Sequence, residues 1–235
     1  MNSRARLAWL AVALESAAPD LDEALKLCLF LGKRADLKDS FELLYCRGLV
    51  YQRLAARELV KHASGEPELH PLVEPGADWR YFKGVAAPPA GWKAPGFDAS
   101  GWLEGKAGFG YGDEDDATEL ADMQGKYPSV FLRRDFQLPG AVAGKADVLL
   151  LRVRFDDGFI ACLNGLELAR ANVPGRRGEV VPHDVTANGQ NEADQWEDYI
   201  VGSESLRSGR NTLTIQAHNY TLPSSDFSIE ASLAA

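Results

Sequence analysis

A run of four acids is the densest group of oxygen ligands in the sequence. The run 113–116, Asp-Glu-Asp-Asp, follows a glycine-rich segment, and Thr118 and Glu119 come close behind it. Calcium takes six to eight oxygen ligands, which clustered loop carboxylates can supply. Asp113, Asp115 and Asp116 are therefore candidate ligands of a structural calcium ion. The spacing is not that of an EF-hand, and the alternative is a solvated acidic loop.

Aromatic residues beside predicted loops indicate a second kind of chemistry. Sugar recognition uses flat aromatic rings against C–H surfaces and a few polar groups against hydroxyls. Trp92, Tyr111 and Trp196 are the candidate ligand contacts, with Tyr127 and Tyr220 in similar positions. Trp196 lies in a polar stretch that we expect to project from the fold. Aromatic residues also pack in cores, so a structural role is the alternative for each of them.

Signatures of catalytic sites are missing from the sequence. It has no nucleophile elbow, no phosphate-binding glycine loop and no HExxH motif. His218 precedes Ser224 and Asp226, but a catalytic triad is recognised by geometry rather than by an inventory of residues. We therefore expect no catalytic residues in this chain.

Composition narrows the class of protein. The 235 residues are 46% hydrophobic and 25% charged, which is ordinary for a globular protein. The net charge of −9 argues against a nucleic-acid binder, which needs a basic surface. No apolar run reaches the roughly 20 residues that span a bilayer. Three cysteines do not make a disulfide framework.

The first 64 residues differ from the rest in charge and in periodicity. They carry ten Lys and Arg against eight Asp and Glu, whereas the remainder carries fifteen against twenty-six. Helical apolar spacing predicts helices over residues 4–18, 22–33 and 37–63. The stretch Leu44-x3-Gly48-x2-Tyr51 resembles a tetratricopeptide repeat. The alternative is a helical hairpin or three-helix domain, and either form is a candidate surface for a protein partner.

The interval 65–78 is rich in proline, glycine and acids, which predicts a linker. The chain would thus have a helical domain over 1–64 and a second domain over 79–235. The start of the chain loosely imitates a secretory signal, with Arg4 and Arg6 before an apolar run. An amphipathic helix is the alternative, so the sequence leaves open an extracellular or a cytoplasmic location.

Short alternating runs replace the helical spacing after residue 79. Eight of these runs predict strands: 79–83, 130–138, 148–155, 159–163, 166–170, 198–201, 212–218 and 227–233. Asn164-Gly165 between two runs is the strongest short hairpin signal, because both central residues of a type I′ turn need positive φ. About eight strands without intervening helices predict an antiparallel β-sandwich. The fold class is therefore mainly β with an α-helical N-terminal part.

Several short motifs in this second domain follow one another in a familiar order. They are Trp79-Arg-Tyr-Phe-Lys-Gly, Trp92-Lys-Ala-Pro-Gly-Phe-Asp-Ala-Ser-Gly-Trp102, Gly108-Phe-Gly-Tyr-Gly-Asp113, Phe131-Leu-Arg-Arg-Asp-Phe136, Arg154-Phe-Asp-Asp-Gly158, Leu163-Asn-Gly-Leu-Glu-Leu-Ala-Arg170, Gly209-Arg-Asn-Thr-Leu213 and Ser224-Ser-Asp-Phe227. This pattern resembles the galactose-binding-like jelly-roll modules appended to bacterial secreted proteins. It is also similar to the sugar-binding domain of family 2 glycosidases. The resemblance covers roughly residues 77–235 and specifies the module rather than a ligand.

The resemblance implies a non-catalytic carbohydrate-binding module. Jelly rolls that bind sugars through calcium use adjacent acids and an asparagine from a neighbouring loop, which implies Asp156 and Asp157 with Asn164 or Asn219. Two other functions stay open at this point. One is a protein-interaction or scaffold module with the helices as the partner-binding part. The other is an accessory piece of a larger hydrolase or signalling protein.

Overall fold

The computed structural model describes residues 69–112, 116–138, 140 and 148–235. These residues form strands, turns and loops. The helices expected over 1–64 and two of the candidate calcium ligands, Asp113 and Asp115, lie outside the described residues. In the described part of the chain, no helix has the length and apolarity that crossing a bilayer requires.

Twelve strands are present among the described residues. They are β1 (Pro71–Val73), β2 (Asp78–Lys83), β3 (Leu103–Lys106), β4 (Phe109–Tyr111), β5 (Thr118–Glu119), β6 (Ser129–Leu138), β7 (Val148–Asp156), β8 (Gly158–Leu163), β9 (Leu166–Ala171), β10 (Glu197–Gly202), β11 (Gly209–His218) and β12 (Phe227–Ala234). All eight strands predicted from sequence are among them. The other four have only two to four residues, which is too short for alternation to reveal.

The strands form two six-stranded sheets. One sheet has the order β10-β7-β12-β4-β5, with β1 also paired to β12. The other has the order β3-β2-β6-β11-β8-β9. All pairs are antiparallel except β4 with β5, whose short pairing is parallel. The prediction of an antiparallel sandwich is thus confirmed with that one exception.

A single apolar core joins the two sheets. Alternate residues of β7, such as Leu149 and Leu151, are buried in the same cluster as Leu213 and Ile215 of β11. Side chains alternate across a strand, so one face of each sheet supplies this cluster. Stacked sheets that share an apolar layer are the definition of a β-sandwich.

The outer face of the second sheet carries a separate aromatic cluster. Trp92, Trp102 and Phe131 are buried together, with Phe82 and Phe97 packed against them. The rings of Trp92 and Phe131 meet edge to face with centroids 5.2 Å apart, a favourable arrangement for aromatic pairs. The loop between β2 and β3 is therefore fixed onto the sheet.

The hairpin between β8 and β9 has the predicted turn. Leu163 pairs with Leu166, and the two residues between them have φ values of 54° at Asn164 and 86° at Gly165. Positive φ at both positions is the requirement of a type I′ turn.

The sheet unit begins earlier than the sequence predicts. The interval 65–78, predicted as a linker, contains β1 and the first residue of β2. Pro71 and Val73 pair with the last strand, and Leu72 and Val73 are buried. Proline is tolerated there because β1 is a short edge strand.

Candidate functional site

Four of the residues singled out from sequence lie at one end of the sandwich. Tyr111 ends β4, Asp156 ends β7, Asp157 follows it, and Asn219 follows β11. The side-chain amide of Asn219 donates to the phenolic oxygen of Tyr111 at 3.1 Å. The phenol in turn donates to the carbonyl of Ser224 at 3.1 Å. These bonds join β4 to the loop that precedes β12.

Asp157 is a structural acid at this end. Its Oδ1 accepts a hydrogen bond from the backbone N–H of Asn191 at 3.1 Å. Its Oδ2 accepts one from the backbone N–H of Tyr220 at 2.7 Å. Both carboxylate oxygens are thus engaged, and Asp157 fixes the loop before β10 and the loop after β11 to the end of β7. Charge-assisted bonds of this kind are stronger than neutral ones.

Asp156 belongs to a different group, which sequence reasoning did not find. Carboxylate oxygens of Asp156, Glu192 and Asp226 all lie within 4.8 Å of one another. The register places them together, because Ser228 of β12 is the pairing partner of Asp156 and Asp226 comes two residues earlier. Glu192 arrives from the loop between β9 and β10. We call these three residues the acidic cluster.

Burial and the neighbouring acids change the ionisation of Asp156. This side chain is only 7% exposed. Burial raises the pKa of Asp156 to about 8, and the neighbouring carboxyl groups contribute in the same direction. Both effects disfavour a charged carboxylate. Burial also raises the pKa of the Tyr111 phenol, with the nearby acids adding to the effect.

Trp196 lies beside the acidic cluster in the polar loop, as its position in the sequence predicts. It lines an open cleft of about 510 Å³. The guanidinium carbon of Arg152 is 5.7 Å from its ring centroid. The other lining residues are amides and acids: Gln190, Asn191, Glu192, Asp194, Gln195 and Glu197. Glu192 therefore belongs both to the cleft and to the acidic cluster.

Asn164 is placed away from these residues, in the hairpin between β8 and β9. Its amide nitrogen donates to the carbonyl of Ser205 at 2.6 Å and to Oδ1 of Asn211 at 2.8 Å. Its Oδ1 accepts from the backbone N–H of Thr212 at 2.9 Å. These internal bonds give Asn164 a structural role, so of the two predicted asparagines only Asn219 lies at the end of the sandwich that carries Asp156 and Asp157.

Trp92 is placed in the aromatic cluster on the outer face and is buried. It contributes to a second cleft of about 490 Å³ between the loops around residues 90 and 182. This cleft is mostly apolar, and it includes the exposed Val180. Trp92 and Trp196 therefore do not line the same cleft.

Asp116 is the one candidate calcium ligand among the described residues. Its Oδ1 accepts a hydrogen bond from the hydroxyl of Ser228 at 3.1 Å. Gly110 lies against its carboxylate, where a β-carbon would collide. The side chain of Asp116 thus packs against β4 and β12 and is hydrogen-bonded within the sandwich.

The residues His218, Ser224 and Asp226 do not form a catalytic triad. Nδ1 of His218 lies 2.6 Å from the carbonyl of Val185, and its Nε2 lies 2.9 Å from the amide nitrogen of Gln216. The carbonyl requires a proton on Nδ1, so Nε2 accepts from Gln216. Both ring nitrogens are engaged within the fold. A general base needs a free nitrogen facing the proton that it removes.

Comparisons with known proteins give no matching family and a low structural similarity to parts of solved enzymes. No protein-family model matches the chain, and no curated protein sequence matches it. Segments of solved β-glucuronidases are similar to it. The enzyme of Bifidobacterium dentium is 19% identical, with 65% of this chain and 21% of that chain covered and a TM-score of 0.42.

Two further β-glucuronidases show the same extent of likeness. The Bacteroides uniformis enzyme is 14% identical, covering 71% of this chain and 18% of that one at a TM-score of 0.44. The Faecalibacterium prausnitzii enzyme is 18% identical, covering 65% and 22% at a TM-score of 0.41. This chain therefore spans about a fifth of the length of these enzymes. At these identities and TM-scores the likeness assigns no activity to it.

Proposed function

We propose that this chain is a non-catalytic carbohydrate-binding module. The observation that carries the proposal is the cleft of about 510 Å³ at one end of the sandwich, in which Trp196 is surrounded by amides and acids. An aromatic ring with a few polar groups is the combination that sugars require, because a sugar presents both C–H surfaces and hydroxyls.

The cleft is built to present these groups from a fixed loop. Asn191 donates its backbone N–H to Asp157 and its side-chain amide to the carbonyl of Phe155 at 2.9 Å. Arg152 contacts the Trp196 ring and also donates from Nε to Asp198 at 2.8 Å. Because the loop is held at several points, it loses less conformational entropy when a ligand binds.

The negative charge of the cleft favours neutral sugars over anionic sugars. Glu192, Asp194 and Glu197 line it, and the chain as a whole carries a net charge of −9. Like charges in close approach are repelled. The proposed ligands are therefore neutral glycans rather than uronates or sulfated sugars, and calcium is the candidate cofactor that would offset the local negative charge.

A glycan array probed with the full chain, in calcium and in chelator, tests the proposal. We expect binding to a subset of neutral glycans. Trp196→Ala should lose at least tenfold in affinity, and Val180→Ala, in the other cleft, should bind as the wild type does. An array without any binding would contradict the proposal in favour of a protein-interaction module. Release of reducing sugar from a bound glycan would contradict its non-catalytic part.

A further inference from the structure

We propose that the apolar cleft on the outer face of the second sheet binds a small aromatic carboxylate that also carries a hydroxyl or N–H group. This cleft, of about 490 Å³, lies between residues 87–93 of one loop and residues 180–183 of another. It is separate from the cleft that contains Trp196, so the inference does not depend on the proposed function.

The lining of the apolar cleft suits a flat apolar body. Trp92 and Phe131 contribute two aromatic rings whose centroids are 5.2 Å apart. Val180 and Pro182 come from the other loop. The aromatic rings are fixed in place, because both are buried in one cluster with Trp102. A preformed, largely apolar cleft of this volume is typical of small-molecule sites, and aromatic rings favour edge-to-face or offset contact with a further ring.

Lys93 brings a positive charge to this lining. Its ammonium lies 5.3 Å from the centroid of the Trp92 ring, and none of the carboxylates in the described part of the chain forms an ion pair with it. Lys83, which is also half-buried, is paired with Asp122 at 2.6 Å. The apolar cleft has no Asp or Glu in its lining, whereas the cleft of Trp196 has three. Charge complementarity therefore favours an anionic ligand.

Gln216 supplies a second polar group at the base of the cleft. It lines the cleft although its side chain is only 2% exposed. Its Nε2 lies 2.9 Å from the carbonyl of Val181 and 2.9 Å from Nε2 of His218. Among the described residues, no group donates a hydrogen bond to its Oε1. Buried polar atoms normally have a partner, so a ligand with an O–H or N–H group would complete the site.

The order of contacts places the two aromatic rings between the acceptor and the ammonium. Gln216 is the cross-strand partner of Phe131. Phe131 contacts Trp92, and Lys93 lies over Trp92. A ligand with a donor at one end, an aromatic body and a carboxylate at the other end would therefore satisfy all three features of the cleft.

The probe for this site is 6-hydroxy-2-naphthoate, because a rigid fused ring separates its hydroxyl from its carboxylate. Calorimetric titration of the full chain measures its binding beside that of 2-naphthoate, which lacks the hydroxyl, and 2-naphthol, which lacks the carboxylate. We expect one 6-hydroxy-2-naphthoate per chain. We expect weaker binding of 2-naphthoate and at least tenfold weaker binding of 2-naphthol.

Substitutions in the lining separate charge from shape. Lys93→Gln should weaken the binding of 6-hydroxy-2-naphthoate at least tenfold and leave that of 2-naphthol unchanged. Ala90→Trp, at an exposed position of the lining, should fill the cleft and abolish the binding of both. Lys106→Gln is the matched control, since Lys106 is exposed on β3 and outside the lining. Trp196→Ala should bind the probe as the wild type does, and circular dichroism shows whether each variant is folded.

The absence of binding at millimolar 6-hydroxy-2-naphthoate would overturn the inference. Equal affinity for 2-naphthol, or binding that a folded Ala90→Trp protein retains, would also overturn it. A dimer in sedimentation that Val180→Asp dissociates would show that a second copy of the chain occupies the cleft instead. Probe binding that is lost in Trp196→Ala would place the probe in the other cleft. The failure of glycan binding alone would contradict only the proposed function and leave this site standing.

Discussion

The side-chain amide nitrogen of Asn164 lies 2.8 Å from Oδ1 of Asn211. This bond connects the β8–β9 hairpin turn to the start of β11. Asn211 extends the connection, because its own amide donates to the carbonyls of Arg207 and Gly209 at 2.7 and 2.9 Å. Both asparagines are buried, so their amides take the place of backbone pairing where the chain enters the strand.

Removal of the Asn164 amide should destabilise the sandwich without affecting ligand binding. Asn164→Ala leaves the carbonyl of Ser205 and the N–H of Thr212 without these partners. We expect the free energy of unfolding to fall by about 3 kcal/mol, since buried groups left unpaired each cost 1–3 kcal/mol. Urea unfolding measures this loss. Asn188→Ala, at an exposed position, should change stability little. A glycan-binding defect in a folded Asn164→Ala protein would contradict the structural role.

Gly165 should tolerate asparagine better than a β-branched residue. Its φ is 86°, and a β-carbon there would make only ordinary contact with the carbonyl of Lys93. The cost of substitution is therefore backbone strain rather than collision. Gly165→Val should lower the free energy of unfolding by roughly 1–3 kcal/mol, and Gly165→Asn by clearly less, because asparagine accepts the left-handed region. Equal losses in the two variants, measured by urea unfolding, would argue against strain as the cause.

Arg133 should be the most costly arginine to remove. Its guanidinium is 2% exposed and donates to the carbonyls of Trp92 and Ala94 at 2.8 and 2.9 Å. Arg133→Met leaves both carbonyls without these donors and should cost roughly 2–4 kcal/mol of stability. The control is Arg210→Met, since Arg210 is paired with the same Asp135 but is 56% exposed. It should cost less than about 1 kcal/mol. Similar losses for both would contradict the dependence on burial.

Local patterns predicted eight of the twelve described strands, whereas the acidic cluster depends on contacts distant in sequence. The alternation along β7, with Leu149, Leu151 and Val153 buried, follows directly from the period of a strand. Asp156 and Asp226 stand 70 positions apart in the sequence, and only the pairing of β12 with β7 brings them together. Register between distant strands is set by the whole core, so a single sequence does not disclose it.

The same limit explains why the sequence did not distinguish the environments of Trp92 and Trp196. Trp92 and Trp196 both lie in polar or turn-rich sequence. Local composition therefore predicts the same environment for both residues. The structure separates them, because Trp92 packs against Trp102 and Phe131 while Trp196 borders the open cleft. The only local difference is the longer polar stretch around Trp196, which indicates a projecting loop.

The contribution of His218 to stability should be lost in mild acid. This side chain is fully buried, and burial lowers its pKa to about 4 from the ordinary value of 6.5. The unfolded chain therefore binds a proton below pH 6.5, while the folded chain resists protonation until about pH 4. The contribution of the neutral His218 to stability is therefore complete above pH 6.5 and is lost as pH falls towards 4. The loss over that interval should be about 3 kcal/mol.

Urea unfolding at several pH values, for the wild type and two variants, measures the contribution of His218. His218→Gln should be less stable than the wild type at pH 7.5, because it loses the fitted contacts to Val185 and Gln216, and the difference should shrink as pH falls to 4.5. His183→Gln is the matched control, since His183 is only half-buried, and its curve should run parallel to that of the wild type. If the His218→Gln curve also runs parallel to the wild type between pH 7 and 4.5, then the buried imidazole does not cause the acid sensitivity.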